Sequence, residues 1–187
     1  VHRAFIGVTE GSSPPNLAQL FLERGLTEAR AWTKFRRIPS APVPAPTELR
    51  VEPVDDRSAP DWGRIVAAGF DMPEACAEVL ARLHEHPNWH LFITLDGDKP
   101  AGASGLFVRG ATCWFDWTAT RPGARRRGSQ SALMARRIAH ARELGCTRLL
   151  TATGEEVAGD PQHSWSNITR AGFVPAFRTR NFALSAD

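Results

Sequence analysis

The chain has 187 residues, of which 42% are hydrophobic and 23% charged; this excludes a wholly disordered polypeptide and suits one domain with a short appendage. No apolar run approaches about 18 residues, so no transmembrane helix is expected, and no membrane partner. The residues from Val1 to Ser12 lack the apolar stretch of a signal peptide. Basic residues exceed acidic ones, 23 against 20, and the isoelectric point is near 9.1, yet only Lys34 and Lys99 are lysines. The rest are arginines, which bind phosphate through a planar fork, and one dense cluster stands out: Arg121, Arg125, Arg126 and Arg127.

Taken in chain order, Arg3 to Val8 reads as a strand, Asn16 to Arg24 as a short helix, Gly25-Leu26 as its stop and Ala29 to Phe35 as another strand. Pro39, Pro42, Pro44 and Pro46 then make residues 39–47 an extended, semi-rigid linker between an N-terminal segment, residues 1–38, and a main body, residues 48–187. In the main body Glu48 to Val54 alternates as a strand, and Asp61–Phe70 and Glu74–His84 carry apolar residues at helical spacing. Asn88–Leu95, Ala103–Val108 and Ala111–Thr120 follow as three strands joined by turns at Gly97-Asp98 and Arg109-Gly110. Ser129 to Leu144 is a helix with the stripe Leu133, Met134, Ile138, Ala141, Leu144 and a stop at Gly145. Thr147–Thr153 is a strand, Ser164–Ala171 a short helix ending at Gly172, and Pro175–Leu184 the last strand. The order β-α-α-β-β-β-α-β-α-β predicts a central sheet with helices on both faces. The N-terminal strand-helix-strand repeats the C-terminal pattern in miniature, as either a half-domain remnant or a cap on the main sheet.

Thr120-Arg121-Pro122-Gly123-Ala124-Arg125-Arg126-Arg127-Gly128-Ser129-Gln130-Ser131 joins a strand to an amphipathic helix. The first N–H groups of a helix have no internal partner, and Gly128 lets an anion approach them. A pyrophosphate suits this loop; so does a plain solvated basic turn capped by Ser129. No Gly-Lys-Ser/Thr is present and no Gly-x-Gly-x-x-Gly follows a first strand, which excludes the common nucleotide-triphosphate and dinucleotide loops.

Pro122, Arg125-Arg126-Arg127-Gly128-Ser129-Gln130, Ser131-Ala132-Leu133-Met134 and the later Gly172-Phe173, with the element order of residues 48–187, resemble the GNAT superfamily of N-acetyltransferases. Gln130 departs from that family's phosphate motif, where a small residue is usual. The resemblance implies an α/β (α+β) fold with a mixed, mostly antiparallel sheet flanked by helices, its fourth and fifth main-body strands splayed. It implies acetyl-CoA as cofactor, with backbone groups of Thr118, Ala119 and Thr120 along the pantetheine arm. The pyrophosphate falls to Arg125, Arg126, Arg127, Gly128, Ser129, Gln130 and Ser131. Asn167 either bonds the cofactor or caps local backbone.

Two acid-base groups usual in the family are displaced. The tyrosine four residues before Gly-Phe is Ile168 here, and the chain has no tyrosine at all; the fifth-strand glutamate aligns with Ala152. The remaining catalytic candidates are Glu155 and Glu156 after that strand, His163 at the start of the short helix, and Asp116 among Trp114, Phe115 and Trp117. Arg136, Arg137 and His140 read as a solvated helix face or an approach to the 3′-phosphate of coenzyme A. The spacing of His84, His86 and His90, broken by Pro87, predicts no metal site.

The expected function is acetyl transfer to a primary amine of a small molecule or peptide. The alternative is a non-catalytic acyl-CoA-binding module, supported by the missing tyrosine and by Ala152. Nucleic acid is not expected as a partner, because the aromatics fall in core strands rather than on a basic face. Cys76, Cys113 and Cys146 cannot all pair, which suggests a reducing cytoplasm. A homodimer through the last strand is a further expectation drawn from the family.

Overall fold

Alternating burial along the strands and a three-to-four-residue apolar repeat along the helices produce eight strands and five helices among the described residues. They are β1 (Phe5–Thr9), α1 (Leu17–Glu23), β2 (Leu26–Arg37), β3 (Arg50–Pro53), α2 (Ala59–Gly69), α3 (Cys76–Ala81), β4 (Trp89–Asp96), β5 (Lys99–Arg109), β6 (Thr112–Thr120), α4 (Ser129–Glu143), β7 (Arg148–Gly154), α5 (His163–Arg170) and β8 (Val174–Leu184). The computed structural model describes residues 5–157, 159 and 163–184, so Arg3 and Ala4 of the expected first strand lie outside it. The main-body order matches the periodicity reading. The second expected helix is shorter, because its last turn tightens into a 3-10 turn, Arg82–Glu85, ahead of Pro87.

All eight strands form one sheet in the order β1-β8-β2-β7-β6-β5-β4-β3. Every neighbouring pair is antiparallel except β6 and β7. The N-terminal segment is therefore not a cap. Its second strand lies inside the sheet, with Lys34 opposite Ala152 of β7 on one side and Phe177 of β8 on the other. β8 is paired by β2 from Val174 to Leu184 and by β1 over Thr179–Ala183.

The two faces carry separate cores. Trp62, Ile65 and Val66 of α2 pack with Leu80 of α3 on Leu91, Ile93, Ala103 and Ala119. Met134, Ile138 and Ala141 of α4 and Ile168 of α5 pack on Phe35, Leu106, Phe115 and Leu149 from the other side. Odd and even residues of β5, Ala103 and Leu106, thus face opposite layers. The linker is stapled at both ends. The buried Arg37 guanidinium donates to the carbonyls of Ala171, Ile38, Ser40 and Ala41 at 2.7–3.0 Å, and Thr47 Oγ1 donates to the Arg127 carbonyl at 2.6 Å. No helix among the described residues is long and apolar enough to cross a membrane.

Candidate functional site

β6 and β7 stay paired only from Thr112–Arg148 to Phe115–Thr151. At the last pair Thr151 Oγ1 donates to the Phe115 carbonyl at 3.0 Å. Beyond it β7 keeps β2 as its partner up to Gly154–Trp32, while β6 keeps β5. The two strands diverge into a fork, as expected for the fourth and fifth strands of the main body.

One arm of this fork is bent by a bulge. Between the pairs Ala103–Ala119 and Gly105–Asp116, β6 carries one residue more than β5, and Trp117 takes a left-handed φ of 50°. A bulky residue holds that conformation only where its surroundings over-determine it. Asp116 does so locally: Oδ1 accepts the Trp117 N–H at 2.8 Å and Oδ2 accepts the Trp114 indole N–H at 3.0 Å. The two helical layers supply further donors. Trp62 of α2 donates Nε1–H to the Ser104 carbonyl at 3.1 Å, and Arg137 of α4 donates to the carbonyls of Gly105 at 3.0 Å and Asp116 at 3.3 Å.

Arg137 is fully buried, which corrects its reading as part of a solvated face. Burial pulls its guanidinium down to about 9, with Asp116 opposing that shift. Arg136 and His140 stay nearer the surface and bond Glu143.

Beside the fork, α4 begins after Gly128, whose φ of 85° favours glycine, and no side chain among the described residues caps its first N–H groups. The alternative of a turn capped by Ser129 is thereby removed. The Ser129 hydroxyl is instead buried 2.8 Å from Thr94 Oγ1, and Thr120 Oγ1 donates to it at 3.5 Å. Gly102 makes room for it, since a Cβ at that position would strike Ser129 Oγ and stand 2.9 Å from Thr94 Oγ1. Gly102→Ala is therefore expected to lower stability by about 1–3 kcal/mol, read as a shift in the urea midpoint. An unchanged midpoint would mean that α4 can slide without penalty.

The arginines divide into two groups. Arg127 forms a two-pronged pair with Asp96, one bond being Nη2 to Oδ1 at 2.9 Å; the pair raises the guanidinium pKa and lowers that of the carboxyl. Arg121 donates to the Pro100 carbonyl at 3.3 Å. Arg125 and Arg126 are exposed, and their guanidinium groups have no hydrogen-bond or ion-pair partner among the described residues. Between α4, α5 and residues 43–46 runs a cleft of about 220 Å³, lined by Gly128, Ser131, Met134, Ile138, Asn167 and Arg170, among others. Asn167 donates to Gln130 across it, so the unusual Gln130 is tied to α5.

Of the catalytic candidates, only Asp116 lies on a fork arm, in sequence with Thr118, Ala119 and Thr120. Glu155 is held by Arg178 through three bonds of 3.0–3.1 Å. Glu156 and His163 are exposed, and Ile168 is buried in the core under α5. Lys34 was not foreseen. Its Nζ lies 5.1 Å from the ring centroid of Trp32 and 5.2 Å from that of Trp114, and its rarity in an arginine-rich chain was the available signal.

This geometry can hold an anion at a helix start and seat a reacting group in the opening of a parallel strand pair. A family model described as "Acetyltransferase (GNAT) family" matches residues 57–173. The chain belongs to that family. Among solved structures it is similar to a GCN5-related N-acetyltransferase from Sphaerobacter thermophilus, with a TM-score of 0.74 and 15% identity over 98% of this chain and 61% of that one. A GCN5-related N-acetyltransferase from Kribbella flavida gives a TM-score of 0.71 and 14% identity over 98% of this chain and 68% of that one. A tandem GNAT protein from the clavulanic acid biosynthesis pathway gives 0.62 and 17%, over 99% and 64% of the two chains. The chain thus spans about two thirds of the length of these proteins. No curated protein matches the sequence.

Proposed function

We propose that this chain is an acetyl-CoA-dependent N-acetyltransferase acting on a primary amine of a small molecule or peptide. The observation that carries the reading is the conjunction of the β6–β7 fork with the uncapped start of α4. The residues there fit the cofactor: Gly128 takes the left-handed turn that starts α4 with its first N–H groups uncapped, and the unpaired side chains of Arg125 and Arg126 can neutralise a pyrophosphate. N–H groups of residues 126–131 would hold it, with Ser129 and Arg127 shaping the loop, Ser131 and Asn167 lining the adjoining cleft, and Gln130 tied to Asn167. When bound, acetyl-CoA supplies an acetyl group activated for attack by an amine. Thr118, Ala119 and Thr120 would orient the pantetheine arm and polarise the carbonyl, and Asp116 would take the amine's proton through water. Ile168, in the place of the family's tyrosine, is buried and has no proton to give, and His163 at the start of α5 is exposed, so proton delivery to the departing thiolate falls to solvent.

Calorimetric titration with acetyl-CoA, with desulfo-CoA and ATP as controls, tests this reading. Micromolar binding of acetyl-CoA is expected, with ATP much weaker. Arg125→Ala/Arg126→Ala should weaken acetyl-CoA binding about tenfold or more. Equal affinity for the double variant and the parent would remove the loop from the site.

The commitment of Glu155 to Arg178 and the burial of Ile168 favour a second reading, acyl-CoA binding without turnover. Binding with no thiol release on an amine panel would select it. The tandem GNAT protein supports reading residues 1–38 as a half-domain remnant, joined through the 39–47 linker to an acetyltransferase domain at 48–187. Three free thiols, two of them buried, fit a reducing cytoplasm.

A further inference from the structure

The open sheet face beside the fork carries a site that the reaction chemistry leaves unused. Direct pairing puts Trp114 of β6, Leu150 of β7 and Arg36 of β2 on one face, and Lys34 and Ala152 follow on that same face two residues nearer the fork opening. Position 152 bears only a methyl group, so the Lys34 side chain crosses β7 unobstructed. Its ammonium ends beside the Trp32 and Trp114 rings. Trp32 is 44% exposed and Phe177, opposite Lys34 on β8, is 53% exposed, so the face is open and aromatic.

The charges on this face are separate. Burial lowers the pKa of Lys34 below the ordinary lysine value and Asp116 partly opposes that shift, so the two groups sense each other. They form no ion pair, and Asp116 spends its bonds on Trp114 and Trp117. Among the described residues the Lys34 ammonium has no hydrogen-bond or ion-pair partner. Indole faces compensate a half-buried ammonium only in part. A ligand anion would complete the compensation, and a ligand cation would find Asp116 on the fork arm.

We propose that the acceptor is an amine that also bears a carboxylate: Lys34 binds the carboxylate, the amine faces Asp116 at the fork, and an aromatic or apolar body lies on Trp32 and Trp114. This is the chemistry of an aromatic amino acid. The assignment rests on the acetyl-transfer reading for what happens to the amine, but not for the binding itself.

Tryptophan fluorescence of the full chain, titrated with L-phenylalanine, 3-phenylpropionate and 2-phenylethylamine, separates the two. Thiol release from acetyl-CoA is followed in parallel with L-phenylalanine and L-phenylalaninamide, and acetyl-CoA affinity is measured for each variant. L-Phenylalanine and 3-phenylpropionate are expected to bind the parent, with Lys34→Met weakening both about 10- to 100-fold. 2-Phenylethylamine should be indifferent to that change, and Lys34→Arg should recover most of the loss. Acetyl-CoA affinity should stay constant throughout, which also shows that the variants fold. Carboxylate binding that depends on Lys34 without any acetyl transfer would support the site while the transferase reading fell. Equal turnover of L-phenylalanine and its amide, with no effect of Lys34→Met, would overturn the site and leave the transferase intact. Absence of carboxylate binding to the parent overturns it as well.

Discussion

Arg137→Met is expected to lower the stability of the folded chain by about 2–4 kcal/mol, or about 5–15 °C in melting temperature for a chain of this size. Two effects compete. Removing a fully buried cation that has no carboxylate partner among the described residues relieves a desolvation cost. Against this, the Gly105 carbonyl loses the Arg137 donor, the Asp116 carbonyl is left with a long bond from Thr118 Oγ1 at 3.4 Å, and the guanidinium is lost from over the Phe115 ring, 4.9 Å away. A buried carbonyl deprived of its donor costs about 1–3 kcal/mol, so the loss outweighs the relief. The same carbonyls flank the bulge that opens the fork, so acetyl transfer should fall further than stability alone explains. Arg137→Lys keeps the charge but loses the Nε bond to the Leu133 carbonyl and the planar guanidinium over Phe115, and should recover only part of either loss. A melting temperature equal to or above that of the parent, measured by calorimetry, would show that the cation is a burden and the bulge self-supporting.

The fate of this arginine shows what the sequence does and does not reveal. Elements of the main body are legible because each has a local period, and the phosphate loop because its glycine and arginines are contiguous. Position 137 also has a local signal: it falls four residues after Leu133, three after Met134 and four before Ala141, within the buried stripe of α4. The side-chain type argues for solvent, and only the carbonyls on β5 and β6 explain why the spacing wins. Ser129 behaves alike. Its type suggests a cap, but the space at Gly102 and the hydroxyl of Thr94 draw it inward. Pairing between distant strands has no local period. The insertion of β2 between β7 and β8, and with it the arrival of Lys34 at the fork, therefore has no signature in residues 26–37 taken alone.

Asp116→Asn is expected to reduce kcat for acetyl transfer about 10²- to 10⁴-fold, the usual range for a lost general base, with acetyl-CoA affinity unchanged within twofold. The substitution preserves shape. An asparagine oxygen can still accept the Trp117 N–H that Oδ1 now accepts, so the bulge survives. Its amide nitrogen cannot accept the Trp114 indole N–H, which costs one bond and moves the melting temperature only slightly. A structural role and a chemical one therefore separate cleanly. If Asp116 merely braces the bulge, asparagine braces it too, and neither acetyl-CoA affinity nor turnover changes much. If it takes the proton, affinity holds and kcat drops. The carboxylate must lie close enough to a bound amine to act through one water, and Asp116 is the only catalytic candidate on a fork arm among the described residues. A fall of less than threefold, with L-phenylalanine or 2-phenylethylamine as acceptor, would pass the role to Glu156, which is exposed and follows β7 within two residues.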